Sequence, residues 1–154
     1  GFNPSRPTSE GSIDIQSSDS LVPPRIATNY LANQEDLDGI IAMARLIGRI
    51  QETQAIKNVL ARVPDLNLSN MGEDQILNDF RKRATTVYHP CGTCRMWSDI
   101  QSAVVNSDLQ VFGIEGLRVV DASIFPNITS ANTNAPTIMV AHEAARRILN
   151  SLKA

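Results

Sequence analysis

His89 is one of two histidines in the chain and the residue best suited to proton transfer. It follows the extended-looking run Thr85-Thr-Val-Tyr88 and stands directly before Pro90. Histidine is a common general base because imidazole gains and loses a proton near neutral pH. A single histidine also fits a structural or solvent-exposed role, so the residue type alone leaves both interpretations open.

Two cysteines follow His89 at C-x-x-C spacing, as Cys91 and Cys94. This spacing is typical of a redox dithiol or of half a zinc site. The chain has no other cysteine, and its second histidine is His142. Two packed, reduced thiols are therefore the favoured interpretation, and no metal site is predicted.

Residues 117–152 predict a strand, a polar loop and a helix in succession. In open α/β sheets, ligands bind beyond the carboxyl ends of strands, opposite helix N-termini. The carboxylate of Asp121 and the backbone N–H of Ala122 could then bind a sugar hydroxyl and a phosphate. Asn132 and Asn134 would lie just before the helix, where free N–H groups favour an anion. Simple capping of the turn by Asp121 and of the helix by Asn134 is the alternative.

His142-Glu143 begins like the H-E-x-x-H motif of zinc proteases, but Arg146 stands where the second histidine should be. The polar face of the last predicted helix contains His142. A solvated histidine is therefore expected there.

The first part of the chain predicts one strand and two helices. Residues 11–16 alternate apolar and polar side chains, which indicates a half-buried strand, and Pro23-Pro24 ends that region. A long helix is predicted after Asn33, with Asp36 completing an imperfect capping box and Pro64 ending the helix. Its apolar stripe would contain Leu37, Ile40, Ile41, Ala44 and Ile47. A shorter helix is predicted over 73–83, followed by a strand over 85–88.

The last part predicts a buried strand over 117–121, introduced by turns at Gly113 and Gly116. The final helix would start near Pro136, since proline is tolerated in a first helical turn. Cations late in this helix suit its dipole: Arg146, Arg147 and Lys153. Its inner face would contain Ile138, Ala141, Ala145, Ile148, Leu149 and Leu152.

Composition limits the function classes. The chain has 154 residues, enough for one domain with its own core, and a net charge of −2 that argues against nucleic-acid binding. No apolar run approaches the roughly 18 residues of a spanning helix. None of the eight glycines forms the dinucleotide fingerprint G-x-G-x-x-G. Because the chain begins at Gly1 without methionine, we expect it to be part of a longer protein.

Four sequence blocks occur together in the chain. They are residues 6–15 with 24–26 and 29–31, residues 88–96 (YHPCGTCRM), residues 104–106 with 113–123, and residues 132–139 (NTNAPTIM). The second and fourth blocks are the specific ones. With these blocks the chain resembles the glucose–methanol–choline (GMC) oxidoreductases, in their C-terminal portion, over nearly its whole length. Residues 33–84 are the least diagnostic part.

The resemblance implies an FAD-dependent oxidation of a small-molecule alcohol. It implies that His89 takes the alcohol proton while a hydride passes to the flavin. Asn134 would hydrogen-bond the substrate oxygen, at a position that is histidine or asparagine within the family. The expected FAD contacts are Asp121, Ala122, Asn132, Asn134 and Thr137.

The resemblance also implies an α+β fold. Residues 1–84 would belong to a substrate-binding domain of antiparallel sheet and helices. Residues 85–104 would form the active-site junction. Residues 105–154 would supply the C-terminal strand and helix of an FAD-binding, Rossmann-like domain.

Two alternatives to alcohol oxidation by this chain stay open. Because the glycine fingerprint is absent, the isolated chain could be a non-catalytic fragment or subunit that needs the N-terminal FAD-binding portion of the protein. The complete protein could also be a family member that acts as a hydroxynitrile lyase.

Overall fold

The computed structural model describes residues 2–60, 67–130 and 132–152. The secondary structure is mainly helical, with one small sheet, as an α+β fold requires. The strands are β1 (Ser12–Asp14) and β2 (Arg25–Ala27), and the helices are α1 (Gln34–Glu52), α2 (Gln54–Lys57), α3 (Glu73–Arg83) and α4 (Asn134–Ser151). A short 3-10 helix covers Ala122–Ile124.

The chain divides into two compact units. The first unit comprises Gly1–Pro4, Thr8–Glu10 and Asn29–Thr86. The second unit comprises Ser5–Pro7, Gly11–Thr28 and Val87–Ala154. The assignment of residues 1–84, 85–104 and 105–154 to parts of a larger enzyme stays a prediction.

The first unit is built on α1 and α3, whose apolar side chains share one core. Ile40, Ala44 and Ile76 are almost fully buried in it, together with Leu68. The predicted stripe of α1 therefore faces the core, with Leu37, Ile41 and Ile47 partly buried along its edges. Helix α3 has the predicted bounds. Pro64, predicted to end the first helix, lies outside the described residues, and α1 ends earlier, at Glu52.

A close backbone contact fixes the path of the chain after Leu68 against α1. A Cβ atom added at Gly48 would lie 2.7 Å from the backbone nitrogen of Ser69. The guanidinium of Arg45 donates hydrogen bonds to the carbonyl oxygens of Leu68 (3.1 Å) and Ser69 (3.2 Å). Because any side chain at position 48 would push the loop away, glycine is required at this contact.

The start of α1 is joined to the segment Thr8–Glu10 through the buried carboxylate of Asp36. The backbone N–H groups of Thr8 and Ser9 donate to Asp36 at 2.8 and 2.9 Å, and the Thr8 hydroxyl donates at 3.2 Å. Asn33 is the N-cap, but its side chain makes no capping bond and donates instead to the Thr8 carbonyl. The predicted capping box is thus wrong, because Asp36 binds a distant segment rather than its own helix end.

In the second unit, β1 and β2 pair antiparallel, with Ile13 opposite Ile26. The strand predicted over 11–16 is present, but the predicted half-burial is wrong. Ile13 is 50% exposed and Ile15 90% exposed. A sheet of two strands leaves both faces accessible unless another element covers one of them.

The core of the second unit forms where the chain folds back on itself between residues 91 and 125, and against α4. Its buried members are Val105, Leu109, Ile124, Phe125 and Ala144. Single bridges rather than strands connect this region: Met96 with Val105, Val105 with Val111, and Gln110 with Arg118. Gly113 and Gly116 adopt positive φ values of 76° and 75°, as the predicted turns require.

The strands predicted over 85–88 and 117–121 are not formed. Tyr88 has a φ of 59°, which breaks any extended run before His89. Within residues 117–121, only Arg118 forms a bridge, and Val119 and Val120 are partly rather than fully buried. Both segments have strand-like composition, but the described residues supply no continuous partner strand beside them.

Helix α4 begins at Asn134, close to the predicted start, but it packs through a different face from the predicted one. Ala144 is buried, and Val140 and Ile148 are partly buried around it. Ile138, Leu149 and Leu152 are 61%, 58% and 78% exposed, so the predicted inner face is wrong apart from Ile148. The helix has apolar residues on more than one side, and contact with the core selects the stripe that contains Ala144. Lys153 lies outside the described residues.

No helix among residues 2–60, 67–130 and 132–152 has the length and apolar character to cross a membrane.

We expect Asp36→Asn to lower the free energy of unfolding by about 1–3 kcal/mol near neutral pH. Thr8 and Ser9 donate to different carboxylate oxygens, so an amide NH2 would face the N–H of one of them and leave it without an acceptor. Burial acts to raise the pKa of Asp36, but the hydrogen bonds from Ser9 and Thr8 outweigh it and hold the pKa below 3.8. A lowered pKa stabilises the fold above the unfolded-state pKa, and this stabilisation is lost as pH falls through the folded-state pKa.

Urea unfolding of both proteins near neutral pH and at about pH 3 measures this difference. The difference in free energy of unfolding between wild type and variant should be smaller at the lower pH. Asp38→Asn is the matched control, because Asp38 is exposed on the same helix and accepts a surface bond from Gln34. Equal stability of Asp36→Asn and Asp38→Asn would contradict the prediction.

Candidate active site

The segment that contains His89 makes a sharp change of direction. Tyr88 has a positive φ of 59°, which non-glycine residues adopt rarely and often at functional sites. Pro90 restricts the backbone of His89 to extended conformations. The imidazole of His89 is partly buried in the second unit.

Backbone hydrogen bonds hold the segment after His89 against the residues that follow Asp121. The N–H groups of Gly92 and Cys94 both donate to the Ser123 carbonyl at 3.0 Å. The N–H of Met96 donates to the Ile124 carbonyl at 2.8 Å. Since Ile124 is fully buried in the core, these bonds fix residues 92–96 to a rigid support.

The other side of the site is the start of α4, where Thr133 is the N-cap. A threonine N-cap usually accepts a hydrogen bond from the N–H of the second or third helical residue. Here the third helical residue is Pro136, which has no N–H, and the Thr133 side chain makes no capping bond. Its hydroxyl is therefore available to another partner, although Thr133 is only 8% exposed.

That partner is His89. The Thr133 Oγ1 atom lies 3.1 Å from the Nδ1 atom of the His89 ring, in a hydrogen bond between residues 44 positions apart. Asn134 directly follows Thr133 and is the first residue of α4, with an exposed side chain. The structure thus brings His89 to the helix end that contains Asn134.

The other predicted site residues lie before and after this helix end in the sequence, and each makes different contacts. Asp121 is exposed, and its Oδ1 atom accepts the N–H of Ser123 at 2.7 Å, which caps the 3-10 helix beginning at Ala122. This is the capping role considered for Asp121. Asn134, in contrast, does not cap α4. Asn132 is exposed, and the hydroxyl of Thr137 donates to the Thr133 carbonyl at 2.7 Å.

Cys91 and Cys94 are free thiols, each partly buried, and Cys91 packs against the core of the second unit. Burial raises the pKa of Cys91, and the nearby Arg95 offsets this only in part. Within the described part of the chain, no group of three or more His, Cys, Asp or Glu side chains could hold a metal ion.

Glu143, the second residue of the incomplete protease motif, serves as an ion-pair partner. Arg146 and Arg147 donate hydrogen bonds to its carboxylate and lower its pKa to about 2. His142 is exposed on α4, as expected. Neither residue contacts His89 or Thr133 in the described hydrogen-bond network.

Sequence reasoning missed Thr133, although it is the residue that joins the two halves of the site. A threonine before a predicted helix is expected to be a cap. Pro136, three positions later, was the available signal, because it removes one of the two N–H groups that an N-cap side chain can bind.

Comparison with known proteins identifies related sequences over nearly the whole chain. A family model described as GMC oxidoreductase matches residues 7–141. An alcohol dehydrogenase [acceptor] of Pseudomonas putida is 40% identical over 146 residues, covering 95% of this chain and 26% of the relative. An oxygen-dependent choline dehydrogenase of Rhizobium rhizogenes is 40% identical over 152 residues, covering 97% of this chain and 27% of the relative. The chain thus spans about a quarter of the length of these relatives.

Comparison with solved structures also matches this chain to part of a longer protein. The formate oxidase of Aspergillus oryzae RIB40, solved in a study of FAD modification, superposes with a TM-score of 0.82 at 27% identity. The match covers 93% of this chain and 25% of the formate oxidase chain. The fold of this chain is therefore that of a part of a larger flavoprotein fold.

The raised pKa of Cys91 predicts slow alkylation, because the thiolate is the reactive form. In a Cys94→Ser variant, we expect iodoacetamide to modify Cys91 several-fold more slowly at neutral pH than it modifies the same protein unfolded in urea. Mass spectrometry of the peptide that contains Cys91 measures both rates. A rate in the folded protein equal to or above that in urea would contradict the prediction.

Proposed function

Because this chain belongs to the GMC oxidoreductase family, we propose that it forms part of an FAD-dependent enzyme that oxidises a small-molecule alcohol, with His89 and Asn134 as its catalytic residues. The observation that carries the proposal is the 3.1 Å hydrogen bond between the His89 ring and Thr133. This bond holds an imidazole beside the first residue of α4, where a substrate oxygen can meet both side chains.

His89 is proposed as the general base. Its Nδ1 atom is engaged by Thr133, so the Nε2 atom is the one that can face substrate and accept the hydroxyl proton. The loop from 92 to 96 is fixed to the core by backbone hydrogen bonds, which limits movement of the ring. A base held in this way needs little reorganisation when the proton moves.

Asn134 is proposed to bind the substrate oxygen. Its side-chain amide can donate a hydrogen bond to the oxygen on which negative charge develops as the proton leaves. The N-terminus of α4 adds to this effect, because the aligned peptide dipoles place partial positive charge at Asn134 and Ala135.

The cofactor is proposed to be FAD, as in the formate oxidase relative, and FAD when bound supplies the acceptor for the two electrons of the oxidation. The polar groups near α4 fit part of such a ligand. The exposed carboxylate of Asp121 retains acceptor capacity for a ribose hydroxyl after binding the Ser123 N–H. The Ala122 N–H, the amides of Asn132 and Asn134, and Thr137 complete the proposed contact set.

The complete activity is proposed to need polypeptide beyond these 154 residues. The chain contains no G-x-G-x-x-G sequence, and it covers 26% and 27% of the two curated relatives. The relatives are named for an alcohol and for choline, which supports an alcohol as the substrate class. The missing FAD-binding portion is the proposed partner of this chain.

We expect His89→Ala in the complete, FAD-loaded protein to slow flavin reduction by alcohol about 10²- to 10⁴-fold, because the proton acceptor is removed. Anaerobic stopped-flow measurement of flavin bleaching gives the rate directly. His142→Ala is the matched control, since His142 is the other histidine of this chain and is exposed on α4. Reduction of the His89→Ala protein at the wild-type rate would overturn the proposal.

We expect Asn134→Ala to lower kcat about 100-fold with a smaller change in KM, because its bond strengthens as charge develops on oxygen. Alanine is a good helix former, so α4 should still begin at this position. Steady-state kinetics of the complete protein measure the effect. Asn150→Ala, on an exposed turn of the same helix, is the control. A kcat within twofold of wild type would exclude this role for Asn134.

A further inference from the structure

We propose that Thr133 is a positioning residue that fixes the tautomer of His89, with its hydroxyl oxygen accepting the hydrogen bond of a protonated Nδ1. The proposal rests on the function proposed for His89, because a base at Nε2 needs its lone pair there. A neutral imidazole has one protonated nitrogen. A hydroxyl can donate or accept, so the direction of the bond to Thr133 follows from the proposed base: if Nε2 keeps its lone pair, Nδ1 holds the proton and donates.

The geometry on the helix side holds the hydroxyl of Thr133 in place. The Thr133 carbonyl accepts two bonds from Thr137, one from its N–H at 3.0 Å and one from its hydroxyl at 2.7 Å. Thr133 is 8% exposed, and a buried hydroxyl requires a hydrogen-bond partner. The Thr133 hydroxyl makes no capping bond, and the partner that the structure gives it is the His89 ring at 3.1 Å.

The geometry on the loop side holds the ring. Pro90 restricts the His89 backbone, and the bonds from Gly92 and Cys94 to Ser123 fix the segment that follows. Both ends of the hydrogen bond are therefore attached to fixed backbone. With Nδ1–H donating to Thr133, the Nε2 lone pair points away from α4's N-cap and is free to accept a proton.

The first test measures the tautomer itself, by nitrogen NMR of the complete, FAD-loaded protein labelled with ¹⁵N-histidine. The His89 signals are assigned by their loss in His89→Gln. We expect wild type and Thr133→Ser to show a protonated Nδ1 and an unprotonated Nε2 at neutral pH. We expect Thr133→Val to lose this pattern. A wild-type His89 protonated at Nε2, or an unchanged pattern in Thr133→Val, would overturn the proposal.

The second test measures catalysis by the same variants. We expect Thr133→Val to lower kcat roughly tenfold, the scale of one net hydrogen bond, while KM stays within about twofold. Thr133→Ser should recover most of the wild-type kcat, because it restores the oxygen without the methyl group. Thr28→Val, at an exposed threonine of the same unit, should leave kcat unchanged.

The outcomes separate the two proposals. Equal impairment of Thr133→Val and Thr133→Ser would assign a packing role to Thr133 and overturn the inference. Wild-type kcat in Thr133→Val together with loss of activity in His89→Ala would overturn the inference alone, whereas full activity in His89→Ala would overturn the proposed function. If Thr133→Val does not bind FAD, Thr133→Ala takes its place, with the same expected results in both tests.

Discussion

The arrangement of the second unit depends on the hydrogen bonds from Gly92, Cys94 and Met96 to the carbonyl oxygens of Ser123 and Ile124. They join two irregular stretches of chain that lack a regular sheet between them. Ile124 and Phe125 then bury both stretches in one core with Ala144 of α4. Because the loop and the helix share this core, the His89 ring and the N-cap of α4 come within hydrogen-bond distance. Without these bonds, neither Pro90 nor Thr133 could determine where the ring lies.

The bounds of α3, the buried stripe of α1 and the approximate start of α4 were predictable from sequence because their signals are local, whereas the end of α1 at Glu52 and the separate helix α2 were not predicted. Helix α3 has the predicted bounds, and the buried residues of α1 follow the predicted spacing around Ile40 and Ala44. The strands over 85–88 and 117–121 were not predictable from β-branched composition, because a strand exists only if a partner lies beside it. The prediction of the packing face of α4 was wrong for a related reason. Ile138 and Leu149 are as apolar as Val140, and only the tertiary core selects between them.

The residues proposed for the candidate site were named from sequence, but the contact between His89 and Thr133 was not. The strand–loop–helix pattern and the family resemblance together gave His89, Asn134 and Asp121 as expectations, and the structure joins the first two through Thr133. The bond itself spans 44 positions, so no window of sequence contains both partners. Asn134 was considered as the cap of the helix, whereas the N-cap is Thr133, whose side chain makes no capping bond. Thr133 also differs from an ordinary N-cap in its helical backbone, with φ −75° and ψ −11°.

Helices α1 and α4 use their first residues in the same unusual way. At α1, Asn33 and Asp36 have the residue types of caps, yet their side chains bind Thr8 and Ser9. At α4, the Thr133 side chain makes no capping bond and is hydrogen-bonded to His89 instead. In each case a polar side chain at a helix start fixes a segment remote in sequence, which removes more conformational freedom than a bond within the same turn. In both helices the N-cap side chain therefore makes no capping bond within its own first turn.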